Sequence, residues 1–333
     1  MSSEQQPSAR LRIVVPDDIA ACYAQGGDEL ERLRRVADVM IYATRPTPAE
    51  LTERIRDADI VLSFRPAFTR FPSEVIAACS RLRFICIAGV GVEDVDVGFA
   101  SKRGIAVGNV VVSKRAIAEH CLALLFDVAR RVTEQDRAIR HGTWQTLQGI
   151  ELGGKTLGIV GLSAIAQEFV PLARALGMEV LSWSRDNRPE RAAAVGARAA
   201  ELDEVLSRSD VISLHLRLFP ELRGFFSRER FARMKPGAIL INTARGELVD
   251  EAAMMEALAS GRLRGAGLDV FAQSPLPADH PLLRLDNVVM TPSSAWNTVD
   301  SSQRSLSTSI DNVLAFIAGK PASVTNAAAV GRS

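Results

Sequence analysis

The 333 residues carry 47% hydrophobic side chains, enough to bury one large core or two smaller ones, and two domains are expected. Forty basic residues against 39 acidic ones leave a formal net charge of +1, which excludes the electrostatic footprint of a nucleic-acid or anionic-membrane binder and points to a small-molecule partner. Cys22, Cys79, Cys86 and Cys121 form no CxxC pair and have no His at metal-ligand spacing, so no metal site is expected and the thiols read as reduced. Together with a polar start that lacks an apolar signal run, this gives a cytoplasmic expectation.

Residues 1–10, MSSEQQPSAR, read as a disordered tail. Strand-length apolar runs follow at 10–16, 38–43, 58–64, 82–89 and 104–109, alternating with one-stripe helical segments such as GDELERLRRVA and PAELTERIRDA. That alternation predicts a parallel α/β domain over 11–110. A helix over 113–131, SKRAIAEHCLALLFDVARR, is apolar around much of its circumference and suits a buried element between domains or subunits. Its apolar stretch is interrupted by Glu119 and His120 and falls short of a membrane span.

A second α/β series occupies 111–296. Strands are expected at 157–161, 179–184, 210–216, 238–244, 265–270 and near 287–293, with helices between them, and the pattern is doubly wound. Pro171 falls inside the first of these helices and predicts a kink there. Residues 299–318 form an amphipathic helix, and 297–325 are expected to rejoin the first domain.

The stretch LGIVGLSAIAQEF at 157–169 runs from a strand through Gly161 into a helix, the context of a dinucleotide-binding turn with its glycines degraded to Gly161-x-Ser163-x-x-Ala166. Gly161 keeps the tight turn, and Ala166 only loosens the packing of helix on strand. Ser163 places a Cβ where backbone would approach a pyrophosphate, but its hydroxyl can donate to a phosphate oxygen. The next strand ends in Ser184-Arg185, with Arg188 beyond, where an NAD site usually has an acid. A hydroxyl and cations suit a 2′-phosphate, so NADP is favoured over NAD, although Asp186 beside them also fits a set of solvated loop charges.

Larger motifs extend along nearly the whole chain: AGVGVEDVDVGFASKRGIAV at 88–107, AIAEHCLALLFDVARR at 116–131, LGGKTLGIVGL at 152–162, MKPGAILINTARGELVDE at 234–251 and GRLRGAGLDVF at 261–271. On these the chain resembles the D-isomer-specific 2-hydroxyacid dehydrogenases, the group of formate, glycerate and phosphoglycerate dehydrogenases and glyoxylate/hydroxypyruvate reductases. The resemblance implies two doubly wound domains, a Rossmann-type NAD(P) domain and a flavodoxin-like substrate domain. It implies a homodimer through the 113–131 helix. Cofactor contacts are implied at Gly161, Ser163, Ala164, Ile165, Ser184, Arg185, His215, Thr243, Ala244 and Asp269, and a carboxylate-binding loop at Val90 and Gly91.

The resemblance further implies that Arg245, in NTARG, pairs with the substrate's carboxylate and carbonyl, its planar fork suiting bidentate binding. Two other catalytic positions depart from the pattern. Ser293 follows Thr291-Pro292 where the group has its acid His, and Ser274 precedes Pro275 where it has the Glu that orients that His. Ala164 stands where Arg is common. Trp296 after the serines and Arg65 at a strand end are further substrate-contact candidates, although a Trp there also reads as a residue packing a domain hinge and such an Arg is more often a solvated loop charge. The expected activity is NAD(P)-dependent oxidoreduction of a small 2-hydroxy- or 2-keto-acid-like carboxylate, the proton coming from water at Ser293 and Ser294 or from the substrate itself. A lyase, dehydratase or isomerase using the same pocket, and a nucleotide-sensing or interaction protein, remain the alternatives.

Overall fold

The computed structural model describes residues 10–64, 69–89, 91–110, 113–186 and 188–327. The chain divides into two units, Met1–Ser113 with Thr298–Ser333, and Lys114–Asn297. The expected tail at 1–10 lies outside the described residues apart from Arg10.

The first unit contains β1 (Leu11–Val15), α1 (Gly27–Arg34), β2 (Ala37–Ile41), α2 (Pro48–Ile55), β3 (Ile60–Phe64), α3 (Ser73–Ala77), β4 (Phe84–Ala88), α4 (Val97–Lys102) and β5 (Ala106–Asn109). The strands form one parallel sheet in the order β2-β1-β3-β4-β5, the flavodoxin-like arrangement expected. Every residue of β3 and β4 is buried, because helices cover both faces, and this produces their uninterrupted apolar runs. Local caps set the helix starts. Thr47 and Glu50 form a reciprocal capping box ahead of α2 with Pro48 in its first turn, and Asp96 caps α4.

The second unit contains α5 (Lys114–Arg130), α6 (Val132–Arg140), β6 (Thr156–Val160), α7 (Ala164–Ala175), β7 (Glu179–Trp183), α8 (Pro189–Ala194), β8 (Arg198–Ala199), α9 (Leu202–Arg208), β9 (Val211–Leu214), α10 (Arg228–Arg233), β10 (Ala238–Asn242), α11 (Glu251–Ala259), β11 (Leu263–Leu268) and β12 (Val288–Met290). Its parallel sheet runs β12-β11-β10-β9-β6-β7-β8. The order reverses at β6, which pairs with β7 on one side and β9 on the other, so the ligand crevice of a doubly wound sheet falls beyond the carboxyl ends of β6 and β9. Two core layers flank the sheet. One includes Phe226, Phe231, Leu240 and Leu263, and the other includes Leu125, Ile159, Phe169 and Ile241.

The chain then returns to the first unit as α12 (Val299–Ile317), capped by Thr298. Tyr23 and Ser309 hydrogen-bond through their hydroxyls at 2.9 Å, and Phe316 stacks on Phe84 at 4.5 Å between ring centroids. The segment after α12 covers the outer edge of β5: Thr325 N donates to Val107 O at 2.7 Å, and Val107 N donates to the Asn326 side chain at 2.8 Å. A Cβ at Gly108 would stand 2.4 Å from Ser323 O, so only glycine admits this approach.

α7, where a kink was expected at Pro171, runs from Ala164 to Ala175 with the proline inside it. Two expectations need correction. α6, α8 and β8 were not anticipated. No residue of α6 is buried and β8 is two residues long, so neither leaves a readable hydrophobic period. The apolar circumference of α5 is consumed within its own unit, where Ala118, Cys121, Leu124, Leu125 and Val128 pack into the core beside α7, β10 and β11.

Candidate functional site

At the switch point, Gly161 ends β6 with φ +97°, a conformation that L side chains rarely adopt, and a Cβ there would lie 2.9 Å from the His215 carbonyl carbon. The glycine lets the turn pass directly over the end of β9. Ser163 is the N-cap of α7, its Oγ accepting from Ala166 N at 3.3 Å. That contact leaves the hydroxyl proton available to an acceptor, so the cap does not compete with donation to a phosphate. Ala164 is exposed at the first helical position, Ile165 is half-buried, and Ala166 is buried against the core, as its role in close helix–strand packing requires. A 12-residue helix thus presents its N-terminus beyond a glycine turn, and the residues present fit a dinucleotide pyrophosphate.

Beyond β7, Ser184 donates to Asp186 at 2.9 Å, and Arg188 and Arg191 pair with the same carboxylate at 3.2 and 2.8 Å. Arg185 lies 3.6 Å from Glu221 and over the Phe219 ring at 5.3 Å. Asp186 therefore gathers the hydroxyl and one of the two cations that the sequence suggested for a phosphate, Arg188, together with Arg191, which it did not suggest. His215 is buried under the Gly161 turn with its Nε2 2.9 Å from Ser213 Oγ, and burial pushes its pKa down to about 4, so the ring is neutral near pH 7.

The carboxyl ends of β10, β11 and β12 carry the remaining candidates. Register pairs Asn242 with Leu268 and Leu268 with Met290, which places Thr243, Asp269 and Thr291 side by side just past the strands. Asn242 organises the loop after β10: its side chain accepts from Ala244 N at 3.0 Å and donates to Arg245 O at 2.9 Å. Thr243 Oγ1 lies 3.2 Å from Cys121 Sγ, whose thiol burial raises to about 12. Gly246, immediately after Arg245, packs its Cα against the backbone of Phe271 and Ala272.

Asp269 has a role that the sequence reading missed. It is 3% exposed and accepts from Thr291 Oγ1 at 2.6 Å, Ser294 N at 2.8 Å and Ala295 N at 3.0 Å, while its backbone oxygen accepts from Ser293 N at 2.9 Å. The Ser293–Ser294 turn is held by Asp269 through both its carboxylate and its backbone oxygen, and Ser293 is in the left-handed region at φ 55°. Trp296 Nε1 closes the turn by donating to Ser293 O at 2.9 Å. His120 Nε2 lies 2.9 Å from Thr291 Oγ1 and 3.6 Å from Asp269. Ser274 lies on an exposed loop, and no hydrogen bond joins it to Ser293.

In the first unit, Arg65 and Val90 lie outside the described residues. Gly91 is buried and lines a small cavity with Ser63, Thr69 and Asp94. Asp17, which sequence reasoning missed, accepts from Phe64 N at 2.8 Å and Ser63 Oγ at 2.7 Å at that sheet's own switch point, between β1 and β3. Burial raises its pKa above the ordinary carboxylate value. The readable signal was an acid pair, Asp17-Asp18, directly after an apolar strand and a proline. No group of His, Cys, Asp and Glu suited to a metal ion occurs among the described residues, and no helix there is long and apolar enough to cross a membrane.

A Rossmann-ordered sheet with a glycine turn at its reversal, and an arginine and a buried aspartate at neighbouring strand ends, defines a nicotinamide-nucleotide-dependent oxidoreductase scaffold. Residues 122–295 match the family pattern of the D-isomer specific 2-hydroxyacid dehydrogenase, NAD binding domain, and the chain belongs to that family. It is 34% identical over 327 residues to a hydroxypyruvate reductase of Blautia hydrogenotrophica, covering 95% of this chain and 100% of that one. It is 36% identical to the D-3-phosphoglycerate dehydrogenase of Mycobacterium leprae over 92% of this chain, but it spans only 57% of that longer protein. Among solved structures it is similar to an acyclic imino acid reductase in complex with NADPH and D-Arg, with a TM-score of 0.83, 29% identity and coverage of 94% of this chain and 99% of that one.

Proposed function

We propose that the protein is an NAD(P)-dependent oxidoreductase acting at C2 of a small carboxylate of the 2-hydroxy- or 2-oxo-acid type, with an atypical source of the proton. The observation that carries this reading is the Gly161 turn at the sheet reversal, which only glycine can form, followed by the capped N-terminus of α7. The cofactor supplies or accepts a hydride. Gly161, Ser163, Ala164 and Ile165 hold its pyrophosphate, and Thr243, Ala244 and Asp269 flank its nicotinamide. Arg245 holds the substrate carboxylate, with Trp296 as an apolar wall. Ser293 and Ser294 hold the water that replaces the missing acid, unless the substrate carries its own proton.

NADP is favoured over NAD. Arg185 lies 3.6 Å from Glu221 in an exposed pair and over the Phe219 ring, so a 2′-phosphate can compete for it, and the NADPH-bound neighbour supports the same choice. Fluorescence titration with NADPH and NADH is expected to give binding well below 1 mM, tighter for NADPH. Failure of both cofactors to bind below about 1 mM defeats the reading. Arg245→Ala is expected to lower kcat/KM for the acid by about 10–10²-fold, the loss of one or two charge-assisted hydrogen bonds, with Arg245→Lys recovering only part because the fork is gone. Equal kinetics in all three proteins would remove Arg245 from the site.

We further propose a homodimer. Its basis is no longer the apolarity of α5 as a whole but the apolar side chains left outside the core on and after it: Phe126 (40% exposed), Val132, Ile139 and Trp144 (90% exposed). Light scattering is expected to give twice the chain mass at micromolar concentration, and a monomer there refutes the assignment.

A further inference from the structure

The reductase reading leaves open which double bond is reduced. Resting on that reading, we infer that the preferred substrate is a 2-imino acid bound as its iminium, C=N–H⁺, in place of a 2-oxo acid.

The first support is the proton inventory around the Ser293–Ser294 turn, taken over the described residues of the second unit. His120 Nε2 contacts Thr291 Oγ1, and Thr291 gives its own hydroxyl proton to Asp269 Oδ1. The Nε2 proton is therefore committed to Thr291. His215 is buried and neutral, with Ser213 on its Nε2. His280 is paired with Glu251 at 3.0 Å and accepts from Leu282 N through its other nitrogen. Cys121 holds its proton to about 12. A serine hydroxyl is not a general acid near neutral pH. None of these is an acid matched to an alkoxide at the turn.

The two reductions differ in that requirement. When C2 of a 2-oxo acid gains a hydride from a reduced nicotinamide nucleotide, the C=O π pair moves onto oxygen and an alkoxide develops. A proton must then arrive from a positioned group, an effect typically worth about 10²–10⁴ in rate. In an iminium the nitrogen already bears its proton. C2 gains the same hydride, the π pair neutralises the nitrogen, and a neutral amine forms that takes its further proton from water. Two electrons leave the nicotinamide in both cases, and the protein supplies no proton in the second.

The second support is the charge of the turn. Asp269 is buried with neutral groups, one hydroxyl and two backbone N–H, at hydrogen-bond distance, and His120 Nε2 lies 3.6 Å from it. A buried carboxylate there favours a bound cation and opposes a developing oxyanion. The hydroxyls of Ser293 and Ser294 make no hydrogen bond within the described protein and stay half-exposed, so they are available to accept N–H from an iminium. A protonated imidazole at the same place would repel it.

The test supplies the protein and NADPH with pyruvate or glyoxylate, with and without methylamine, and identifies products by mass spectrometry. The N-methylamino acid is expected to form at least about 10²-fold faster than the hydroxy acid per unit of imine and of keto acid present. A second readout needs no turnover: with NADP⁺ present, calorimetry is expected to show N-methylalanine binding at least about tenfold tighter than lactate. His120→Gln is expected to leave the product ratio unchanged. Hydroxy acid as the main product at a rate indifferent to methylamine overturns the inference. So do equal affinities for the two acids, and so does loss of keto-acid reduction in His120→Gln with NADPH affinity intact. If the cofactor titration fails, the reductase reading falls as well; if NADPH binds but no amine-dependent product appears, only the imine inference falls.

Discussion

Ser293→His combined with Ser274→Glu is expected to raise conversion of pyruvate or glyoxylate to the hydroxy acid by about 10²–10⁴-fold, the span that a positioned general acid contributes. The backbone can accept the change. The turn is held by Asp269 through the N–H groups of 293, 294 and 295 and by Trp296 on the Ser293 carbonyl, and none of these bonds uses the Ser293 side chain. Ser293 sits at φ 55°, a conformation in which His is among the better-tolerated residues. Ser274 is exposed on its loop, so a longer side chain there displaces no core packing. The two changes should be strongly non-additive. Glu at 274 has nothing to orient without the His, whereas the His alone gives a donor whose tautomer and pKa are unsupported. The same double change should depress amine-dependent product, because it places a cation where the iminium binds. Additive effects of the two single changes, or no gain in hydroxy acid despite intact NADPH binding, would show that the serines are not the reason the acid chemistry is weak.

Much of this was legible before any fold was known, for a physical reason that also marks where legibility stops. β3, β4, β9 and β10 are buried throughout, so their sequences are continuous apolar runs whose spacing implies crossover helices and parallel sheets. Gly161 could be found because its turn demands a residue type. The role of Asp269 could not, because it depends on β11 lying beside β12 in a register that puts residue 269 under residues 291–295, and nothing local in DVFAQSP encodes that neighbour. α5 misled for a related reason. An apolar circumference records that a helix is covered, but not whether its own unit or another subunit covers it. Asp186, whose presence beside Arg185 and Arg188 left the solvated-charge reading open in the sequence, gathers Ser184, Arg188 and Arg191.

Gly246→Ala is expected to be the most damaging small substitution in the site. The added Cβ would stand 2.0 Å from the Phe271 carbonyl carbon, 2.3 Å from Ala272 N and 2.4 Å from Phe271 O, all backbone atoms that no rotamer change can clear. The clash separates two segments: the 3-10 turn Gly246–Leu248 that follows Arg245, and the loop that leaves Asp269. Overpacking of this kind costs about 1–3 kcal/mol or more. At about 2–4 °C per kcal/mol for a unit of this size, the melting temperature should fall by roughly 2–12 °C. The functional loss should exceed the stability loss, since a shift of about 1 Å between a binding and a reacting group can cost about 10²-fold in rate. Gly98→Ala supplies the control. Gly98 lies in α4 of the first unit, where the nearest atom to its Cβ is Asp96 Oδ1 at 3.5 Å, and alanine in a helix should be neutral or stabilising by about 0.5–1 kcal/mol. The comparison is made by thermal melting and by acid affinity in the presence of NADP⁺. If Gly246→Ala melts within about 1 °C of the parent and keeps its acid affinity, the spacing between the Arg245 and Asp269 segments is not what builds the site.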